Sequence, residues 1–226
     1  KGERSGTVYD SSGYDNHAEL ALATTPKWVG KEESKIGSGA YEFDGATQYF
    51  KIPKYSKNDN VTISLWVNTS QSLGSQILIG DYNSIGIGIH SGTIIGTCTF
   101  AKPVGILDNN FKNNSWNHIS VVSDNGDMRY YCNGVLLQNG NNNNWGWSND
   151  SFAVIGRRSP GSSSTPYYVN GLIDDVRIYA TALSDEDILE LYQTRGSIDS
   201  HGNLYVQDIK EHNTYREDIK NANLVE

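Results

Sequence analysis

Apolar residues recur at every second position, or run unbroken over strand lengths, through most of the first 180 residues. The clearest stretch is "VTISLWVNT" (61–69), where Val61, Ile63, Leu65 and Val67 share one side. Similar runs are "AYEFDG" (40–45), "QYFKIP" (48–53), "SQILIGDY" (75–82), "SIGIGIH" (84–90) and "TIIGTCTF" (93–100). "WNHISVVSD" (116–124), "MRYYCNGVLLQ" (128–138), "SFAVIGRR" (151–158) and "GLIDDVRIYA" (171–180) follow. The joints carry turn chemistry. "DNGD" (124–127) sets Asn-Gly between two runs, a strong hairpin signal, and "HSGT" and "CNGV" repeat the idea. Two joints are long: the Asn-rich "NGNNNNWGWSND" (139–150) and "RSPGSSSTPYY" (158–168).

One segment breaks the two-residue period. "ALSDEDILELYQTR" (182–195) predicts a helix with Ser184 as N-cap and Asp187 at its third position, close to a capping box. Acids crowd its first turn and Arg195 closes it, as the helix dipole prefers. Ile188, Leu191 and Tyr192 form its apolar stripe. About ten strands with no strand–helix alternation predict an all-β domain, a sandwich or a barrel. After Arg195 there is one short hairpin signal, "DSHGN", and then mostly charge. Residues 1–195 therefore read as the domain and 196–226 as an appended tail, hairpin or linker.

Composition narrows the function. The 226 residues carry a net charge of −8 with no Lys/Arg cluster, which argues against a nucleic-acid binder. No run of 18 apolar residues exists, so no segment predicts a membrane-spanning helix. The chain starts on Lys1 without a signal-peptide pattern, which reads as a fragment or a processed form. Cys98 and Cys132 both lie in strand-like runs, where buried thiols are common, and are expected as thiols rather than a pair. Asn-x-Ser/Thr sequons at Asn60, Asn68, Asn113 and Asn149 carry little weight in so Asn-rich a chain.

Taken in order, "VYDSSGYDNHAEL", "AYEFDG", "VTISLWV", "WNHISVV…YYCNGVLL" and "GLIDDVRIYATALSDEDILELY" resemble a laminin-G-like domain of the concanavalin A-like superfamily, over roughly residues 7–194. That resemblance implies a jelly-roll sandwich of two antiparallel sheets with one short helix near its end. It also implies a glycan-binding or adhesion role, often with one structural calcium ion. The tail segment "LYQTRGSIDSHGNLYVQDI" is similar to segments that follow such domains in bacteriophage virion proteins. This implies display on a virion or cell surface, with other protein chains as partners through the tail.

Two places invite a cation. Calcium takes six to eight oxygens on a bent chain. Asp10, Asp15 and Asn16 offer side-chain oxygens, and Gly13 permits a tight turn that aims carbonyls inward. The spacing is not that of an EF-hand. In "GLIDDVRIY", alternation turns either Asp174 or Asp175 inward, and a buried carboxylate needs a cation or donors. The family's calcium site joins two such segments, which by resemblance implies Asp10, Gly13, Asp15, Asn16, Asp174 and Asp175 as ligands. The alternative is that Asp10 and Asn16 make Asx-turns and an Asp pairs with Arg177.

Sugars stack their apolar faces on aromatics while amides meet their hydroxyls. Trp145 and Trp147 with Asn144, the pair Tyr167–Tyr168, and Tyr82 are the candidates for ligand contact. The alternative is that a Trp folds inward to anchor its own loop. His118 in "WNHIS" reads as a structural histidine rather than a catalytic one. A glycosidase needs two positioned carboxyls, and neither the E-x-D-x-E-like strand of this superfamily's hydrolases nor G-x-S-x-G occurs. The expectation is a non-catalytic, calcium-stabilised carbohydrate-binding or adhesion module, extracellular or on a virion surface. A structural decoration domain of a virion is the second reading and a glycoside hydrolase the third.

Overall fold

The computed structural model describes residues 7–20, 25–53, 60–70, 74–80, 85–90, 93–97, 110–141, 152–158 and 165–193, together with strand residues 197–198, 204–205 and 224–225. The early strands are β1 (Thr7–Val8), β2 (Ala18–Leu20), β3 (Lys27–Gly30), β4 (Gly39–Asp44), β5 (Phe50–Pro53) and β6 (Val61–Thr69). The middle ones are β7 (Gln76–Gly80), β8 (Ile85–His90), β9 (Thr93–Thr97), β10 (Ser115–Asp124), β11 (Asp127–Cys132) and β12 (Val135–Asn141). After β13 (Phe152–Ile155) and β14 (Asn170–Tyr179) comes the helix α1 (Asp185–Gln193), then β15 (Ser197–Ile198), β16 (Leu204–Tyr205) and β17 (Leu224–Val225).

The strands form the expected jelly-roll sandwich. One antiparallel sheet runs β1-β2-β5-β13-β7-β8-β9. The other runs β12-β11-β10-β6-β14-β4-β3, with β17 pairing β14 beside that path. Hairpins alternate with long-range pairings, so that β6 lies between β10 and β14, and Thr69 faces both Ser115 and Gly171. Strands β1, β2 and β3 are too short to show an alternation of their own, and the sequence pattern missed them. The "DSHGN" signal does mark a hairpin, β15–β16.

Alternation places the core between the sheets. From β6, Ile63, Leu65 and Val67 point inward with Ile119 and Val121 of β10, and Leu78, Ile85, Ile87 and Ile89 face them from the other sheet. Burying one such side chain contributes about 1.5–3 kcal/mol. Cys132 is a core thiol beside them; Cys98 lies outside the described residues. The Asn-Gly turns behave as read. Asn125 and Gly126 have φ 48° and 92°, and Asn133 and Gly134 have 52° and 76°, the double positive φ of a tight hairpin turn.

Helix α1 seals the outer side of the second sheet. The Ser184 hydroxyl accepts the Asp187 N–H at 3.1 Å and the Asp187 carboxylate accepts the Ser184 N–H at 2.8 Å, a reciprocal cap with Asp in the usual Glu place. Ile188 and Leu191 then pack on Val122, Tyr131 and Tyr179, whose side chains point away from the main core. Arg195 lies outside the described residues.

Candidate functional site

The Asp10 turn closes on itself. Asp10 Oδ1 accepts the Ser12 N–H at 2.8 Å, while Oδ2 accepts the Ser12 hydroxyl at 2.7 Å and the Asn16 N–H at 2.9 Å. Partial burial opposes ionisation, but these donors outweigh it and hold the carboxyl below its ordinary 3.8. Gly13 and Asp15 bend the backbone with φ 89° and 58°. The Asp15 side chain is exposed, 3.8 Å from His17 Nε2, and Tyr9 and Tyr14 on the same turn are exposed too.

At the other segment a bulge overrides alternation. Asp174 pairs with Trp66 and Arg177 with Ser64, so Asp175 and Val176 both stand opposite Leu65. Asp175 takes the strain at φ 48°. Asp174 Oδ2 accepts the N–H groups of Lys35 and Ile36 at 2.9 and 2.8 Å, and Oδ1 accepts the Asp175 N–H at 2.8 Å. Burial outweighs these donors and pushes its pKa up to about 6. Asp175 instead pairs with Arg177 at 2.9 Å. The demand of a buried carboxylate for donors is thus met by amides at Asp174 and by a guanidinium at Asp175. Among the described residues no three His, Cys, Asp or Glu side chains gather closely enough to hold a metal ion. The donor sets are those of two separate hydrogen-bonded hubs, the geometry the Asx-turn and Arg177 alternatives anticipate.

The aromatic pair of the second long loop has more company than expected. On β5, Phe50 and Ile52 enter the core, so Tyr49 and Lys51 face outward. On β13, Ala153 and Ile155 enter the core, so Phe152 and Val154 face outward. Lys51 Nζ sits over the Phe152 ring at 4.8 Å. The Arg157 guanidinium, just beyond β13, lies over Tyr49 at 4.7 Å and over Tyr168 at 5.1 Å. Its Nη1 donates to the Tyr168 hydroxyl at 3.2 Å and its Nε to the Arg158 carbonyl at 2.7 Å. Arg158 lies over Tyr167 at 5.9 Å. Tyr167, at φ 48°, packs on Ile77 and Ile95 of the same outer face, and its carbonyl accepts the Ile77 N–H at 3.1 Å. Gly88 makes this packing fit, since a Cβ there would come within 2.6 Å of Ile77. Tyr167 and Tyr168 stay half-buried.

On the opposite outer face the polar groups are sealed. His118 is buried, shares a 2.7 Å hydrogen bond between its Nε2 and Ser64 Oγ, and lies tilted against Trp66. Burial, with Arg177 and Lys35 nearby, pushes its pKa down to about 3, so it is a neutral structural group. Trp66 stacks on Tyr192 of α1, and Lys35 Nζ covers its ring at 4.3 Å.

Of the candidate ligand contacts, Tyr167 and Tyr168 share one face. Tyr82, Asn144, Trp145 and Trp147 lie outside the described residues. Sequence reasoning passed over Tyr49, Lys51, Arg157 and Arg158. The available signals were the Arg doublet after "FAVIG" and the outward phase of Tyr49 and Lys51 in "YFKI".

Residues 44–189 match the family model described as the concanavalin A-like lectin/glucanases superfamily, of the laminin G type. The chain belongs to this family. A search of curated proteins finds no significant match. Among solved structures, the fold is similar to domain 4 of AbnA, an extracellular GH43 arabinanase of Geobacillus stearothermophilus solved with arabinotriose. The two share 22% identity at a TM-score of 0.60, over 76% of this chain and 82% of that one. It is also similar to the binding domain of botulinum neurotoxin serotype D, with 18% identity and a TM-score of 0.57 over 87% of this chain and 52% of that one. A carbohydrate-binding protein of Bacteroides ovatus, described there as putative, shares 18% identity at a TM-score of 0.52, over 76% of this chain and 52% of that one. This chain spans about half the length of the neurotoxin binding domain.

Proposed function

We propose that the chain is a non-catalytic carbohydrate-binding module whose ligand lies on the outer face of the seven-stranded sheet, near Tyr49, Tyr167 and Tyr168. The observation that carries this reading is the row of half-buried or stacked aromatics on that face, held rigid by cations and by the tight Gly88 packing. Rigid aromatic surface beside polar donors is what a pyranose or furanose ring stacks on. The arabinotriose-bound neighbour and the B. ovatus protein support a sugar as ligand, and the neurotoxin domain supports a receptor-facing role. The non-catalytic part rests on the sealed, neutral His118, on carboxylates at Asp10, Asp44 and Asp185 held low by their hydrogen bonds, the wrong state for a general acid, and on Asp174, whose raised carboxyl is taken up by three backbone amides. Attachment to a glycan or glycoprotein surface outside the cell, or on a phage particle through the tail, completes the reading.

The test is a glycan array that includes arabino-oligosaccharides, followed by titration calorimetry on the strongest hit. Tyr168→Ala should weaken that hit by about tenfold or more, the scale of one lost stacking anchor. An array with no binder at all would overturn the module.

Structural calcium at the Asp10 turn, with Gly13, Asp15 and Asn16, belongs to the same proposal. Calcium at 100 times its dissociation constant would stabilise the fold by about 2.7 kcal/mol, and chelation would reverse the shift. A melting curve indifferent to both additions removes the ion from the reading.

A further inference from the structure

We propose that the sugar taken by this face is acidic, and that Arg157 is the residue that pairs with its negative charge. The inference rests on the carbohydrate-binding reading above and deepens it. Lys51, Arg157 and Arg158 stand on one outer face, each over an aromatic ring, in a chain with 26 acids and only 18 Lys and Arg. Elsewhere the described arginines find carboxylates: Arg129 pairs with Asp185 and Arg177 with Asp175. Arg157 does not. Among the described residues its contacts are two tyrosine rings, one hydroxyl and one carbonyl.

The chemistry follows from those contacts. A guanidinium has five N–H donors, and the Nε–H and one Nη1–H are used within the chain. The others point from a planar fork that matches the two oxygens of a carboxylate or sulfate. Stacking between Tyr49 and Tyr168 fixes the fork before any ligand arrives, so little side-chain entropy is lost on pairing. Tyr168 then meets the sugar ring beside the charge. Glu19, cross-strand from Lys51, is the acid that faces this group across β2 and β5.

The probes are oligogalacturonate, the same oligomer methyl-esterified, and a sulfated galactan oligomer, with titration calorimetry on the full chain. Oligogalacturonate should bind at least about tenfold more tightly than its ester, the scale of one charge-assisted hydrogen-bonded pair. Its affinity should fall as salt rises from about 50 to about 300 mM. Arg157→Gln should erase the difference between acid and ester, and Arg157→Lys should recover only part of it. Preference for the sulfated oligomer over both, lost in Arg157→Gln, also supports the charge and identifies sulfate as its source. Should Arg157→Gln fail to fold, the comparison of acid with ester on the unaltered chain decides alone. Equal binding of acid, ester and neutral sugars overturns the acidic ligand and leaves the carbohydrate module standing. Binding of no sugar, neutral or acidic, overturns both.

Discussion

The two outer faces of the sandwich carry similar side chains and differ in what covers them. The face of the eight-stranded sheet has Trp66, His118, Tyr131 and Tyr179 with Lys35 and Arg177 close by, and α1 lies across it. The face of the seven-stranded sheet has Tyr49, Phe152, Tyr167 and Tyr168 with Lys51, Arg157 and Arg158. On the first, Trp66, Tyr131 and Tyr179 are buried, and the histidine is desolvated into a neutral group. On the second, Tyr167 and Tyr168 remain half-buried. Aromatic and cationic residues alone therefore do not mark a binding face. What covers the first face is a nine-residue helix, itself held by one reciprocal cap.

The largest effect should come from breaking the covered face. Ile188 is fully buried, and Ile188→Ala should destabilise the fold by about 2–5 kcal/mol, read as a lowered denaturation midpoint, while sugar affinity stays unchanged. If affinity collapsed and stability held, the roles of the two faces would be reversed.

A second test is electrostatic and also lies on the covered side. Asp174 titrates at about 6 in the fold against an ordinary 3.8, so it makes stability fall as pH rises from about 4 to about 6. His118 titrates at about 3 against 6.5, so it makes stability rise with pH through the same window. The two slopes oppose each other. Asp174→Asn removes the falling one, so urea midpoints between pH 4 and 6 should climb more steeply with pH than in the unaltered chain. Parallel pH profiles for the two would remove Asp174 from the balance. Below pH 4 both proteins should lose stability as Asp10, Asp44 and Asp185 protonate, since their folded values lie under 3.8.

The smallest effect should come from the cap. Ser184→Ala removes the acceptor of the Asp187 N–H and should cost about 1 kcal/mol of stability without touching the face of Tyr167 and Tyr168. A loss several times larger would mean that α1 docks through its first turn rather than through Ile188 and Leu191.

Much of this fold was legible because its signals are local. The alternation of 61–69 reappears unshifted as β6, the Asn-Gly turns adopt the φ values those residues favour, and Ser184 with Asp187 caps the helix. The ordered motifs supplied the sandwich that the family match bears out. What escaped is non-local. Nothing in "GLIDDVRIY" announces that its alternation breaks at Asp175, because the bulge is set by the partners of β14, which lie over 100 residues away. Asp174 was correctly marked as a carboxylate in need of donors, but its donors are backbone amides of Lys35 and Ile36, groups that every residue carries and no motif reveals. The same blindness hid Arg157. Its stacking partners Tyr49 and Tyr168 come from segments more than 100 residues apart in the chain, and only the sheet order brings them to one place.

The bulge in β14 has one more consequence. Ile173 and Ile178 both reach the core although an odd number of positions separates them. The strand therefore behaves as two half-strands in opposite phase, joined by a one-residue spacer at positive φ. Substitutions around Asp175 trouble only their own contacts. Deleting a single residue there would remove the bulge and leave an even spacing, so a regular strand would keep Ile178 opposite Ile63 in the core and Tyr179 on the helix side, whereas inserting one would send Ile178 out to the helix side and Tyr179 into the core. This short stretch should accordingly tolerate the loss of one residue far better than the gain of one, an asymmetry not expected of a surface loop.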